Sequence, residues 1–409
     1  MKFISDELAE LRESGLYRAL RTVDGPQGTH VRLAGREVLC FASNDYLGLA
    51  NHPKVVEAAR RAMDTYGWGA GASRLVCGNM RLHQELEERI ARFEGTEAAL
   101  VFPSGYMANV GAVTALIGVG DLVLGDKLNH ASIVDGCRLS GAKFRTYGHG
   151  DVKKLHRLMA RRPHYRRAMA VTDTVFSMDG DLAPLPEITA LCRAHDAMLM
   201  VDEAHATGVF GETGRGLVEH FGLKEQVDVT MGTLSKAVGS VGGFIAGSQD
   251  LVDYLRNKAR TFMFTTALPP AACAAAIVGL DLIEQQPELR AALWRNVQRL
   301  TEGLNALGLV RGEGRSPIIP VVLGEPKTAT AFSTFLLNDG VLAPAIRPPA
   351  VPPGTSRLRL TVSAAHSAQD IHRLLDALSR ALRQLPAVNP CEGCRPSQGC
   401  AGPEDDDED

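Results

Sequence analysis

From about residue 45 to residue 268, short apolar runs alternate with segments in which apolar positions recur every three to four residues. The runs are Ala99–Phe102, Asp121–Gly125, Ala168–Thr172, Met198–Val201, Val227–Met231 and Gly243–Ala246. Runs this short and this apolar suit strands buried on both faces, and the amphipathic segments between them suit crossover helices. The pattern predicts an α/β fold with a mostly parallel sheet flanked by helices.

Pro269 and Pro270 then break the chain. Beyond them the spacing predicts helices over Ala271–Ile283, Glu288–Leu307, Thr328–Asn338 and Ser367–Leu385, with strands over Ile318–Leu323 and Leu358–Val362. Residues 1–44 carry a short amphipathic helix and a polar extended segment. From Pro386 onward Cys, Pro, Gly and acid replace any packing period, so residues 386–409 are expected to be a disordered tail. Its Cys391-x-x-Cys394 and Cys400 make only half a zinc pattern, so no metal is expected. The division expected is an N-terminal segment (1–44), a large domain (45–268), a smaller α+β domain (269–385) and the tail.

Composition narrows the class of protein. With 409 residues the chain has room for two packed units. A net charge of −3 gives no electrostatic reason to bind nucleic acid or an anionic membrane. The first fifteen residues are charged, and no stretch of about 18 apolar residues occurs, so neither a leader nor a membrane span is expected. Five of the eight cysteines (Cys40, Cys77, Cys137, Cys192 and Cys273) stand singly in apolar segments. That usage predicts reduced core cysteines and a cytoplasmic protein.

In an open α/β sheet, ligands bind beyond the carboxyl ends of the strands. Five strand ends here deliver polar groups: Ser104-Gly105-Tyr106, Asn129-His130, Ser177-Met178-Asp179, Asp202-Glu203-Ala204-His205, and Thr233 with Ser235 and Lys236. Any one of these taken alone reads better as a helix cap. Five together with a lysine point to a site. A lysine among small residues forms a Schiff base with an aldehyde when its charge is disfavoured. Pyridoxal phosphate requires such a lysine, a carboxylate for its ring nitrogen and a cradle for its phosphate. Lys236, Asp202, and the helix start at Gly105-Tyr106 with the Thr233 hydroxyl meet those needs. His130 is the candidate to stack on the ring, and His205 to reach its phenolic oxygen.

Several stretches carry a resemblance: "FASNDYLGL", "GAGASRLVCGN", "LHQELEERIARFEGTEAALVFPSGYMAN", "LNHASIVDG", "TVFSMDGDLAPL", "VDEAHATGVFGETGRG", "GTLSKAVGSVGGF", "FTTALPP" and "AIRPPAVPPGTSRLRLTVSAAH". Together they resemble the α-oxoamine synthases, fold-type I pyridoxal phosphate enzymes, over about Leu20 to Leu385. The resemblance implies that Lys236 carries the cofactor, with Asp202 on its ring nitrogen, His205 on its phenolic oxygen and His130 stacked. Gly105, Tyr106, Ser177 and Thr233 would surround it, and Thr265 and Thr266 would reach a phosphate across the interface of a homodimer.

Members of this family are acyltransferases that join an amino acid to an acyl thioester and release carbon dioxide. The stretches "VFSMDGDLAPL", "DEAHATGVFG" and "AIRPPAVPPGTSRLRLT" are most similar to the branch that serves biotin synthesis, joining L-alanine to a pimeloyl thioester. Arg21 matches an arginine which that branch uses for substrate, and Asn44, Ser73, Arg347 and Arg357 complete the implied substrate residues. Ala350 departs from the pattern, standing where threonine is usual. The implied chemistry has Arg357 hold the alanine carboxylate, Lys236 remove the Cα proton and His130 polarise the thioester oxygen. Whether coenzyme A or a carrier protein bears the acyl group stays open. Glycine- and serine-using members are the alternatives. A dinucleotide enzyme is a remote one, since Gly67-Trp68-Gly69-Ala70-Gly71 follows no strand. A non-catalytic subunit is disfavoured by the presence of Lys236.

Overall fold

Seven strands form one sheet in the computed structural model, which describes residues 2–385. Their spatial order is Ala98–Phe102, Gly243–Gly247, Val229–Thr233, Met198–Asp202, Ala168–Asp173, Leu122–Asp126 and Lys143–Tyr147. Only Gly243–Gly247 runs antiparallel to its neighbours. Four of the strands, Ala98–Phe102, Leu122–Asp126, Ala168–Asp173 and Val229–Thr233, are buried at every position, and Met198–Asp202 at all but its first. That explains their nearly continuous apolar sequences, since crossover helices cover both faces of a parallel sheet. Because the strands run parallel, Asp126, Asp173, Asp202 and Thr233 finish on one edge of it.

This sheet and its helices make up one of two compact units, residues 45–177 and 181–291. Among the described residues the other unit comprises residues 2–44, 178–180 and 292–385. It holds a four-stranded sheet (Val23–Asp24, His30–Leu33, Arg36–Cys40, Val341–Leu342) and a three-stranded one (Ile318–Gly324, Ser356–Thr361, Ala345–Ile346). Helix Pro326–Asn338 packs with both, helix Ala368–Gln384 packs against that helix, and Ser367 and Asp370 close a reciprocal cap at the start of the second helix.

The units divide at 291/292, not at 268 as the prolines led us to expect. Pro270 is the first residue of helix Pro270–Gln285, a place where proline's missing N–H costs nothing. That Ala-rich helix buries ten of its residues and packs against helices Pro53–Tyr66 and Arg81–Glu94 of the larger unit. Residues 1–44 also do not stand apart, for Arg36–Cys40 pairs in parallel with Val341–Leu342. The strand Lys143–Tyr147 was not anticipated. It has one neighbour only, so a mixed sequence, KFRTY, suffices for it. Cys40, Cys137, Cys192 and Cys273 are buried as expected, but Cys77 is exposed, on the single-turn π-helix Arg74–Gly78. The expected tail, with its three cysteines, lies outside the described residues. Among the described residues no helix is long and apolar enough to cross a membrane.

Candidate active site

Lys236 sits in a tight loop that joins strands Val229–Thr233 and Gly243–Gly247. The loop is pinned at both ends: Leu234 N–H donates to Gly242 O at 3.0 Å, and the Thr233 hydroxyl donates to the same oxygen at 2.9 Å. Within it, Gly239 N–H donates to Lys236 O at 3.0 Å. Gly239 has a φ of +76°, and a Cβ there would come within 2.5 Å of the Leu49 backbone. The run of small residues around the lysine is therefore a packing requirement, and it leaves Lys236 half-buried at the strand-end edge of the sheet.

Asp202 closes strand Met198–Asp202 and is 3% exposed. Its Oδ1 accepts the Ala204 N–H at 2.8 Å and its Oδ2 accepts a side-chain N–H of Asn109 at 2.7 Å. His205 is buried, with Nδ1 2.7 Å from the Tyr46 hydroxyl. His130 caps helix Ala131–Leu139. Its backbone N–H donates to Asp173 Oδ2 at 2.6 Å, and its Nδ1 lies 2.7 Å from Ser132 Oγ. His130 is exposed as a residue, but the burial its ring does have, and the charge of Lys236, hold its pKa below the ordinary imidazole value; the Asp202 charge opposes them. Asp173 lies opposite Asp202 on the adjacent strand. Burial and the Asp202 charge raise its pKa well above the usual carboxylate range. Thus Lys236, Asp202, Asp173 and His130 form one electrostatic cluster within the larger unit.

The helix Gly105–Leu116 begins beside Thr233. A Cβ on Gly105 would stand 2.8 Å from Met231 Cε and 3.6 Å from Thr233 Oγ1, and one on Gly243 would strike the Gly105 backbone at 2.6 Å. Two glycines thus bring a helix N-terminus against a strand end. Ser104 Oγ accepts the Met107 N–H at 3.2 Å, while the N–H groups of Gly105 and Tyr106 have no acceptor among the described residues. Such a terminus receives a phosphate. Ser177 is half-buried just beyond strand Ala168–Asp173. The Tyr106 hydroxyl donates to Asp135 at 2.6 Å. Ser73 precedes the π-helix, Thr265 is half-buried, and Thr266 is exposed.

The remaining expected residues belong to the other unit. Arg357 is 4% exposed; its Nη1 donates to the Asp179 carboxylate and its Nε to Thr355 O at 2.9 Å. The arginine expected to meet a substrate carboxylate is therefore already held by an internal one. Arg359, which sequence reasoning passed over, directs both Nη groups at Asn44 Oδ1, each at 3.1 Å. Arg347 Nη1 donates to Gly15 O, and Arg21 and Ala350 are exposed. Tyr46, Asn109, Ser132 and Asp173 were also passed over, and Asp179 was given no role beyond its strand end. All lie in stretches quoted above or directly beside them, but nothing in their spacing distinguishes them from caps and core polar residues.

Comparison with known proteins settles the family. A model of the aminotransferase class I and II family matches residues 36–378. The chain belongs to that family. A relative in Geobacter sulfurreducens, "8-amino-7-oxononanoate synthase", is 51% identical over 94% of this chain and 99% of its own. A serine palmitoyltransferase from S. paucimobilis, solved with bound PLP, superposes with a TM-score of 0.89 at 34% identity, covering 93% of this chain and 97% of that one. The 8-amino-7-oxononanoate synthase of Francisella tularensis gives 0.73 at 28% identity, over 85% and 98%. Within the family the chain is an α-oxoamine synthase, with the fold-type I architecture expected of it.

The residues present fit pyridoxal phosphate. A buried carboxylate, a half-buried lysine and a helix N-terminus that only glycine can bring so close share one strand-end edge. That is the donor set the cofactor's ring nitrogen, aldehyde and phosphate call for.

Proposed function

We propose that the chain is a pyridoxal phosphate-dependent acyltransferase that condenses L-alanine with a pimeloyl thioester. The products are 8-amino-7-oxononanoate, carbon dioxide and the free thiol, in biotin synthesis in the cytoplasm. The observation that carries this reading is the 51% identity to an 8-amino-7-oxononanoate synthase over 94% of the chain. The Lys236, Asp202 and His130 cluster supports it with a chemical rationale.

Lys236 would hold the cofactor's aldehyde carbon, Asp202 its ring nitrogen, His205 its phenolic oxygen, and Gly105, Tyr106 and Thr233 its phosphate, with Ser177 beside the cofactor. When bound, the cofactor supplies an electron sink for a carbanion at the amino acid's α-carbon. The chain's own residues do the rest. Arg357 binds the alanine carboxylate, exchanging one of its contacts with Asp179 for it. The Lys236 amine takes the Cα proton and later returns one. His130 donates to the thioester carbonyl oxygen as charge develops there. Arg21 meets the far carboxylate of the pimeloyl chain, which would be costly to bury unpaired. Asn44, Ser73, Arg347 and Ala350 line the substrate path.

A homodimer accompanies this reading, with Thr265 and Thr266 serving the neighbouring subunit's phosphate site. Supporting it, the larger unit leaves Trp68, Val76 and Phe264 exposed by 69%, 78% and 69%. Apolar side chains that wet call for cover.

A second reading is favoured by the higher TM-score to serine palmitoyltransferase and by Ala350. One assay separates the two. The enzyme loaded with pyridoxal phosphate is offered alanine, glycine or serine against pimeloyl, succinyl and palmitoyl thioesters, on coenzyme A and on a carrier protein, with products read by mass. Alanine with the pimeloyl donor is expected to lead. A glycine or serine product exceeding it by about tenfold would overturn the assignment.

A further inference from the structure

A continuous line of donors and acceptors runs from Asp202 to His130 across three elements. Asn109, on helix Gly105–Leu116, directs its amide nitrogen at Asp202 Oδ2, 2.7 Å away, and at Ser132 Oγ, 2.9 Å away. Ser132, fully buried in the first turn of helix Ala131–Leu139, places its Oγ 2.7 Å from His130 Nδ1. Its backbone N–H donates to that same nitrogen at 3.3 Å.

Chemistry fixes the direction of every bond. A carboxylate accepts, so Asn109 turns its NH2 toward Asp202. An amide nitrogen donates only, so Ser132 Oγ accepts from it and keeps its own hydrogen for Nδ1. A backbone N–H also donates only, so Nδ1 is the acceptor and the ring proton resides on Nε2. Nε2 has no partner among the described residues.

An independent observation points the same way. Asn109 is 1% exposed, and its Oδ1 is buried with no hydrogen-bond partner. An orphaned acceptor is destabilising, and an apolar residue of the same size would remove it. The position is better explained by a need for the NH2 group than by packing.

We propose that Asn109 and Ser132 are positioning residues, which orient the Asp202 carboxylate and fix His130 as the Nε2–H tautomer, so that both groups are set together. This rests on the reading of Asp202 and His130 as cofactor residues. His130 then presents one donor and no lone pair on Nε2 to an incoming carbonyl oxygen.

Holoenzyme labelled with nitrogen-15 in its histidine rings tests this, with the His130 signals assigned by their loss in His130→Gln. A single form with a pyridine-like Nδ1 and a pyrrole-like Nε2 is expected. Ser132→Ala leaves Nδ1 only the longer backbone N–H donor, at 3.3 Å, and is expected to admit the second tautomer and to raise the ring pKa. Asn109→Leu is expected to weaken pyridoxal phosphate binding about tenfold, a lost bond to a charged group, and to shift the pH titration of the cofactor's absorption band. A wild-type ring protonated on Nδ1 overturns the proposal, even if no variant folds. So does Ser132→Ala with an unchanged tautomer. None of these readouts involves an acyl substrate. An enzyme that keeps the single tautomer but makes no 8-amino-7-oxononanoate overturns the function above and leaves this inference standing.

Discussion

Asp173 and Asp202 face each other in register on neighbouring parallel strands, both of them buried. Two carboxylates so placed cannot both hold a charge cheaply. Asp202 receives two N–H donors, whereas burial and the Asp202 charge push Asp173 well above the usual carboxylate pKa. Asp173 is thus the member of the pair that takes a proton more readily, and a neutral isostere should be tolerated better there than at Asp202. Asp173→Asn is expected to keep turnover within several-fold, its amide oxygen still accepting the His130 N–H. Asp202→Asn is expected to keep the fold and lose a factor of about 100–1000 in kcat, the scale of a lost electrostatic contact to a developing charge. Equal losses in the two variants, each checked for cofactor content, would refute the division of charge.

Lys236 is the lysine in the cluster with Asp202, Asp173 and His130. Borohydride reduction of the loaded enzyme followed by peptide mapping should place the pyridoxyl label on Lys236. Recovery of the label on Lys127 or Lys258 would remove that lysine from the chemistry.

Arg21 is exposed, so its loss should leave the fold intact. Arg21→Ala is expected to raise the KM for a pimeloyl donor about tenfold or more, the usual scale for one lost charge-assisted hydrogen bond, with a smaller change for a neutral acyl donor of equal length. A parallel rise for both donors would show that Arg21 does not read the distal carboxylate.

The sequence spoke most clearly where burial enforces a pattern. The six apolar runs all overlap strands of the central sheet, because strands covered on both faces tolerate little else. Lys143–Tyr147 escaped, since an edge strand needs no apolar alternation. Pro269-Pro270 misled, because proline at a helix start looks in sequence like proline at a boundary. Among the functional groups, the lysine and the strand-end acids stood out by being odd in their surroundings. Asn109, Ser132 and Tyr46 did not. Their roles arise from partners 93, 23 and 159 residues away, a relation that only the fold creates.

Two buried histidines give stability a pH dependence of opposite sign. His366 stacks on Phe41 at 4.2 Å; its Nδ1 accepts the Ser363 N–H at 2.9 Å and its Nε2 lies 3.0 Å from Cys40 O. Burial lowers its pKa to about 4. A histidine of ordinary pKa, ~6.5 in the unfolded chain, takes up a proton that the folded site refuses, so stability falls as pH drops from ~6.5 toward ~4, by about 3 kcal/mol at ~1.4 per unit. His149 is the reverse case. Burial opposes its charge, but hydrogen bonds to Asp126 at 3.1 Å and Asp181 at 2.6 Å prevail and raise its pKa to about 10. Its contribution is whole below pH ~6.5 and is lost as pH rises through ~10. His366→Gln should therefore flatten the acid limb of a plot of unfolding free energy against pH, and His149→Gln the alkaline limb. Each variant should leave the other limb as it was. An acid limb unchanged by His366→Gln would mean that the folded protein accommodates the imidazolium, contrary to the bonds that surround it.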